Sequence, residues 1–173
     1  DIIRRATIDP TRTSVIEMRV ARTGRADLGI WRRPLTGGGE AERVVAPPVP
    51  DVRFGRTFAT EFMWDTTGTR VAVESCGEIA CRTRLLDPAS GVIGSLDDPT
   101  LGPLVGVDGD TVLSYGACRG LPCPVIATNV RSGSQRVVVP DAGPAVVLAT
   151  PAGSRLVDET SLGLERRLRA TDV

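Results

Sequence analysis

A chain of 173 residues is long enough to form one compact body that buries roughly two-thirds of its unfolded surface. Its 21 basic residues, all arginine, balance 21 acidic ones, so no net field exists to draw in nucleic acid or an anionic membrane surface. With no histidine, a self-contained Ser-His-Asp or Cys-His site is excluded, and no apolar run approaches the ~20 residues a membrane-spanning helix requires.

Short stretches rich in Val, Leu, Ile and Thr recur about every ten residues between Gly and Pro punctuation, which predicts an all-β chain. The first four strands are expected at Ile2 to Asp9, Val15 to Arg22, Gly29 to Pro34 and Glu42 to Ala46. A Pro-rich segment follows, and residues 47–59 read as an insertion, with Phe54, Phe58 and Phe62 at a spacing that also suits a helical turn. These phenylalanines are expected to cover a neighbouring sheet. The next strands are Thr60 to Asp65, Arg70 to Ser75, Arg82 to Asp87 and Val92 to Leu96. Four more follow at Leu104 to Val107, Val112 to Gly116, Val125 to Val130 and Gln135 to Pro140. The last three are Ala145 to Thr150, Arg155 to Glu159 and Leu164 to Asp172.

The chain repeats itself. Cys76 and Cys118 are 42 residues apart, as are Cys81 and Cys123, and Gly91 and Gly133 share the same step. Gly68-Thr69-Arg70-Val71 returns as Gly153-Ser154-Arg155-Leu156, and Asp9-Pro10-Thr11 stands where Asp65-Thr66-Thr67 stands. About 42 residues holding four short strands is the size of a propeller blade, since solenoid repeats of that length are helical. Counted by this repeat, the blades are about 1–46, 47–98, 99–141 and 142–173, and the last lacks its outer strand.

Met63-Trp64-Asp65-Thr66-Thr67-Gly68-Thr69-Arg70-Val71-Ala72-Val73 resembles the W-S-P-D-G-x-x-[ILV]-[AV]-[FV] repeat of TolB-like β-propellers. The Trp, the turn Gly and the following strand match, and the Ser-Pro-Asp does not. Val107-Asp108-Gly109-Asp110-Thr111-Val112 keeps the turn, and Ala149-Thr150-Pro151-Ala152-Gly153-Ser154 keeps Pro and Gly. The resemblance implies four-stranded antiparallel blades, with strands a to d running from the axis outward. The turn between a and b needs positive φ, which Gly adopts freely. Val71 and Val73, with Leu113 and Tyr115 on the equivalent strand, are expected to fill the space between adjacent sheets. With four blades, the last incomplete, the chain is expected to be part of a larger ring whose remaining blades come from sequence outside it. Asp1 in place of Met fits either a removed signal peptide or a start further upstream.

The four cysteines form two C-x4-C pairs at the junctions of strands b and c, where the sulfurs of each pair can bridge across a hairpin mouth. Disulfides Cys76 to Cys81 and Cys118 to Cys123 are the favoured reading. The rival, a four-cysteine zinc site, needs all four sulfurs in one tetrahedral shell although stacked sheets hold the pairs apart. Disulfides place the protein outside the cell or in the periplasm or envelope.

By the resemblance, the b–c and d–a loops surround one mouth of the channel, so Glu78, Ile79, Arg119 and Leu121 at the cysteine-pinned tips, with Arg53 and Arg56 of the insertion, are expected to face a ligand. No P-loop, G-x-S-x-G elbow or calcium-loop pattern occurs, and Asp97-Asp98 and Asp108 with Asp110 sit in turns where Asp is favoured anyway. The expected function is therefore a non-catalytic extracytoplasmic binding or scaffold module for protein, peptide or glycan, without cofactor or metal. The alternative is the propeller part of a larger hydrolase of the prolyl oligopeptidase kind, whose catalytic domain lies outside this chain.

Overall fold

The computed structural model describes residues 2–9, 11–22, 27–45, 59–76, 81–96, 98, 100–118, 120–162 and 165–173. All fifteen expected strands form. Sheet I contains β1 (Ile2–Ile8), β2 (Ser14–Val20), β3 (Asp27–Pro34) and β4 (Glu42–Val45) in that spatial order. Sheet II contains β5 (Ala59–Trp64), β6 (Val71–Cys76), β7 (Cys81–Asp87) and β8 (Gly91–Leu96). Sheet III contains β9 (Leu101–Asp108), β10 (Thr111–Gly116), β11 (Cys123–Asn129) and β12 (Gln135–Ala142), again as a meander. Sheet IV has three strands, β13 (Ala145–Thr150), β14 (Gly153–Leu162) and β15 (Glu165–Asp172). Every pairing is antiparallel, as hairpin connections require.

The sheets stack face to face, and three apolar layers lie between them. Ile16, Ile30 and Val45 of sheet I meet Val71, Val73 and Leu86 of sheet II. Ala72 and Leu85 on the other face of sheet II meet Leu104, Val107 and Val112 of sheet III. Leu113, Val125 and Val139 then meet Leu156 and Val147 of sheet IV. Burying each of the Val, Leu and Ile side chains contributes about 1.5–3 kcal/mol. Sheets II and III are covered on both faces, so β6 reads Val-Ala-Val-Glu with all four residues buried. Among the described residues sheet IV is covered on one face, and β13 correspondingly alternates between half-buried and exposed.

One register differs from the 42-residue step. In sheet II, Trp64 pairs with Val71 across the long turn 65–70, whereas in sheet III Asp108 pairs with Thr111 and Val107 with Val112 across a two-residue turn. Val112 therefore takes the place of Val71 and faces the preceding sheet, while Leu113 and Tyr115 face sheet IV. These residues do fill inter-sheet space, but on the opposite side from Val71 and Val73. Bulges in the β9–β10 ladder beside Ser114 absorb the difference.

Residues 47–58 of the expected insertion lie outside the described residues, and Ala59 already belongs to β5. Phe62 is a strand residue packed with Trp64 against the layer between sheets I and II.

Candidate functional site

Each sheet has a b–c end and an a–b end. At the b–c end of sheet III, Cys118 and Cys123 form a disulfide with Cα atoms 6.0 Å apart. The Cys123 sulfur also lies 3.1 Å from the Gly120 carbonyl, and the loop tip carries Leu121, half exposed. The bond removes this pair from any zinc site. In sheet II the backbones of Cys76 and Cys81 are the last cross-strand pair of the β6–β7 hairpin, and their side chains lie outside the described residues. Of the expected binding residues, Leu121 is the one described, whereas Glu78, Ile79, Arg119, Arg53 and Arg56 lie outside the described residues.

The a–b end is polar and built from aspartate-centred turns. Asp65 accepts hydrogen bonds from the Thr69 and Arg70 amides at 2.8 and 3.0 Å and from the Thr67 and Thr69 hydroxyls at 2.7 and 3.1 Å. Asp9 repeats the arrangement with the Thr11, Thr13 and Ser14 side chains and the Thr13 and Ser14 amides. Where Gly68 adopts φ +74° in one turn, Arg12 adopts +57° in the other. Burial raises the Asp9 pKa, but these donors outweigh it and hold the carboxyl well below the usual range.

Other turns use the same device. Asp87 accepts from the Ala89 amide at 2.8 Å, which leads in lowering its pKa. Asn129 accepts from the Arg131 and Ser132 amides at the equivalent position in sheet III. Asp98 is held low first by the Thr100 hydroxyl. Asp110 is held low first by Arg131, and it also takes Arg70 of sheet II at 3.3 Å, tying two sheets together.

Three a–b turns converge. The Ser154 hydroxyl of sheet IV donates to Asp108 of sheet III at 2.5 Å and lies 2.9 Å from the Thr66 hydroxyl of sheet II. A cleft of about 460 Å³ opens there, lined by Thr66, Thr67, Asp108, Thr150, Ser154 and Asp172. An adjoining cleft of about 350 Å³ is lined by Asp108, Asn129, Gln135 and Arg136. The sequence treated Asp108 as an ordinary turn residue, and its meeting with Ser154 could not be read from a spacing of 46 residues. Among the described residues, no group of three or more Cys, Asp or Glu is placed to hold a metal ion, and no helix is long and apolar enough to cross a membrane.

No protein-family model matches the chain, and no curated protein sequence matches it. Solved structures do. TolB from Acinetobacter baumannii superposes with a TM-score of 0.55 at 14% identity, over 95% of this chain and 39% of that one. The fold is a β-propeller of the TolB-like kind. An oligogalacturonate lyase in complex with manganese gives a TM-score of 0.59 at 14% identity, over 98% of this chain and 48% of the other. A puromycin-hydrolyzing peptidase of Mycobacterium tuberculosis gives 0.54 at 16% identity, over 95% and 29%. The propeller chain thus spans less than half of each of these structures. At such identities the fold is what is shared, and it serves binding proteins and enzymes alike.

Proposed function

We propose that this chain is a non-catalytic binding or scaffold module of an extracytoplasmic protein, recognising protein, peptide or glycan through its b–c and d–a loops. The observation that carries the reading is the Cys118–Cys123 bond beneath the exposed Leu121. A covalently closed tip loses little entropy when it grips a ligand, and it presents an apolar contact at the loop apex. Persistence of the bond requires an oxidising compartment. Glu78, Ile79, Arg119, Arg53 and Arg56 are proposed to complete this surface.

The test is a screen of the chain against arrayed peptides and glycans, with each hit repeated on variants. Leu121→Glu and the paired Cys118→Ser/Cys123→Ser variant are expected to weaken a genuine ligand by about tenfold or more, as loss of a central contact does. Thr67→Ala and Ser132→Ala on the opposite end are expected to leave it unchanged. Binding lost only with the second set moves the site to the a–b end and overturns the reading. The hydrolase alternative draws on the likeness to the M. tuberculosis peptidase, of which this chain spans 29%. Peptidase activity in the natural full-length protein would favour it.

A further inference from the structure

The cleft at the a–b end follows from turns of unequal length. Sheet II turns through residues 65–70, whereas sheet III turns through Gly109 and Asp110 alone. The longer turn reaches past the shorter one, and the Thr66 hydroxyl of sheet II comes to lie 2.9 Å from Ser154 of sheet IV. Asp108, the last residue of β9, lines the resulting space of about 460 Å³ together with Thr66, Thr67, Thr150 and Ser154, and Asp172 and Val173 after them.

Each of these hydroxyls has one proton to donate, and each proton is already committed. Ser154 donates to Oδ1 of Asp108 at 2.5 Å, because an ionised carboxylate only accepts. The contact between Thr66 and Ser154 is then a donation from Thr66. Thr67 donates to Asp65 at 2.7 Å, and Thr150 to the Gly153 carbonyl at 2.7 Å. The hydroxyl oxygens keep lone pairs and no free protons, so toward a ligand they act as acceptors.

Charge points the same way. Arg70 and Arg131 hold Asp110, Arg70 also holds Asp87, and Arg155 holds Asp172 at 2.9 Å. Asp108 pairs with no arginine among the described residues, and its Oδ2 has no hydrogen-bond partner among them. A free carboxylate among acceptors suits a group that brings positive charge and several N–H donors together. A divalent metal ion would ask for more anionic oxygen than one free carboxylate provides.

We propose that this cleft binds an ammonium or guanidinium group, carried by a small amine or by a basic peptide side chain. Asp108 is its counter-ion, and the Thr66, Thr67 and Thr150 oxygens accept its remaining N–H bonds. The volume lies in the range of small-ligand pockets, roughly 300–1,000 Å³, and is too small to engulf a folded partner. This site does not rest on the b–c loop reading, because a ligand there depends on Leu121 and a ligand here on Asp108.

Calorimetric titration of the protein with agmatine, which carries both cationic groups, is expected to show saturable binding with a Kd of about 1 mM or tighter. Asp108→Asn, which keeps the shape and removes the charge, is expected to weaken it by about tenfold or more, and Leu121→Glu to leave it unchanged. The peptide acetyl-Gly-Arg-Gly-amide separates the two sources: binding as tight as agmatine's assigns the cleft to a peptide side chain, and binding of agmatine alone assigns it to a free amine. No binding of either probe overturns the proposal, as does binding that survives Asp108→Asn. Tighter Asp108-dependent binding of calcium or of glucose than of agmatine overturns it as well, since the site would then be built for a metal ion or a polyol. Should Asp108→Asn lose its β-sheet circular dichroism, Thr66→Val is read instead. It removes one acceptor at constant shape and is expected to weaken agmatine by about threefold or more, and an unchanged Kd there is equally fatal.

Discussion

Sheets III and IV touch most closely at Gly106 in β9, and replacing that glycine measures how tightly the stack is fixed. A β-carbon built at Gly106 would lie 2.2 Å from Val147 Cγ2 and 2.6 Å from Val147 Cβ. Carbon atoms rest at about 3.5–4.0 Å, so the strands must separate by more than a rotamer change can supply. Overpacking of this kind costs about 1–3 kcal/mol, and the near contact with Val147 Cβ, which no side-chain rotation moves, places Gly106→Ala at the upper end. For a domain of this size that is a fall of about 6–12 °C in Tm. Val147→Ala alone should cost about 1–2 kcal/mol of apolar burial. Because it also removes the nearest clashing atom, the double variant should cost less than the sum by about 1–2 kcal/mol. Urea melts followed by circular dichroism, on both single variants and the pair, provide the cycle. A neutral Gly106→Ala, or strict additivity, refutes the close stacking of β9 on β13.

Three further outcomes are expected. Thr128 is 2% exposed and its hydroxyl has no hydrogen-bond partner among the described residues, so Thr128→Val should raise stability by about 1 kcal/mol in the same melts. Asp9, Asp87, Asp98 and Asp110 all titrate below their ordinary range, so the folded state binds fewer protons than the unfolded one near that range. Their contribution is complete above the ordinary value of 3.8 and is lost as pH falls through the depressed values, and Asp9→Asn should flatten this acid limb in a pH series of urea midpoints. Glu74 has the opposite sign, because burial raises its pKa although the Leu104 amide donates to it at 3.1 Å. Its charged form therefore opposes folding at neutral pH, and Glu74→Gln, which keeps an acceptor, should gain up to about 1 kcal/mol at pH 7 and less below about pH 4.5.

The strands were legible because each is bounded by turn chemistry that acts locally. Asp65, Thr67 and Gly68 specify the a–b turn of sheet II wherever the rest of the chain goes, and the same holds for Asp87 and Gly91 between β7 and β8. The Cys118–Cys123 bond was legible for the same reason, its partners being five residues apart at a hairpin mouth. The one-residue shift at β10 was not, since a fixed step of 42 residues hides a turn shortened in one place and a bulge added in another. Nor was the cleft around Asp108, where Thr66 and Ser154 come from turns 88 residues apart.

The amino-acid order alone settled the all-β class, the blade-sized repeat and the turns, because hydrogen bonds and φ preferences that act within a few residues encode them. Which side of each strand faces forward or back and which turns share a cleft were decided only when the sheets stacked. Those outcomes depend on side chains from separate repeats filling one volume between sheets, and no local signal carries that information.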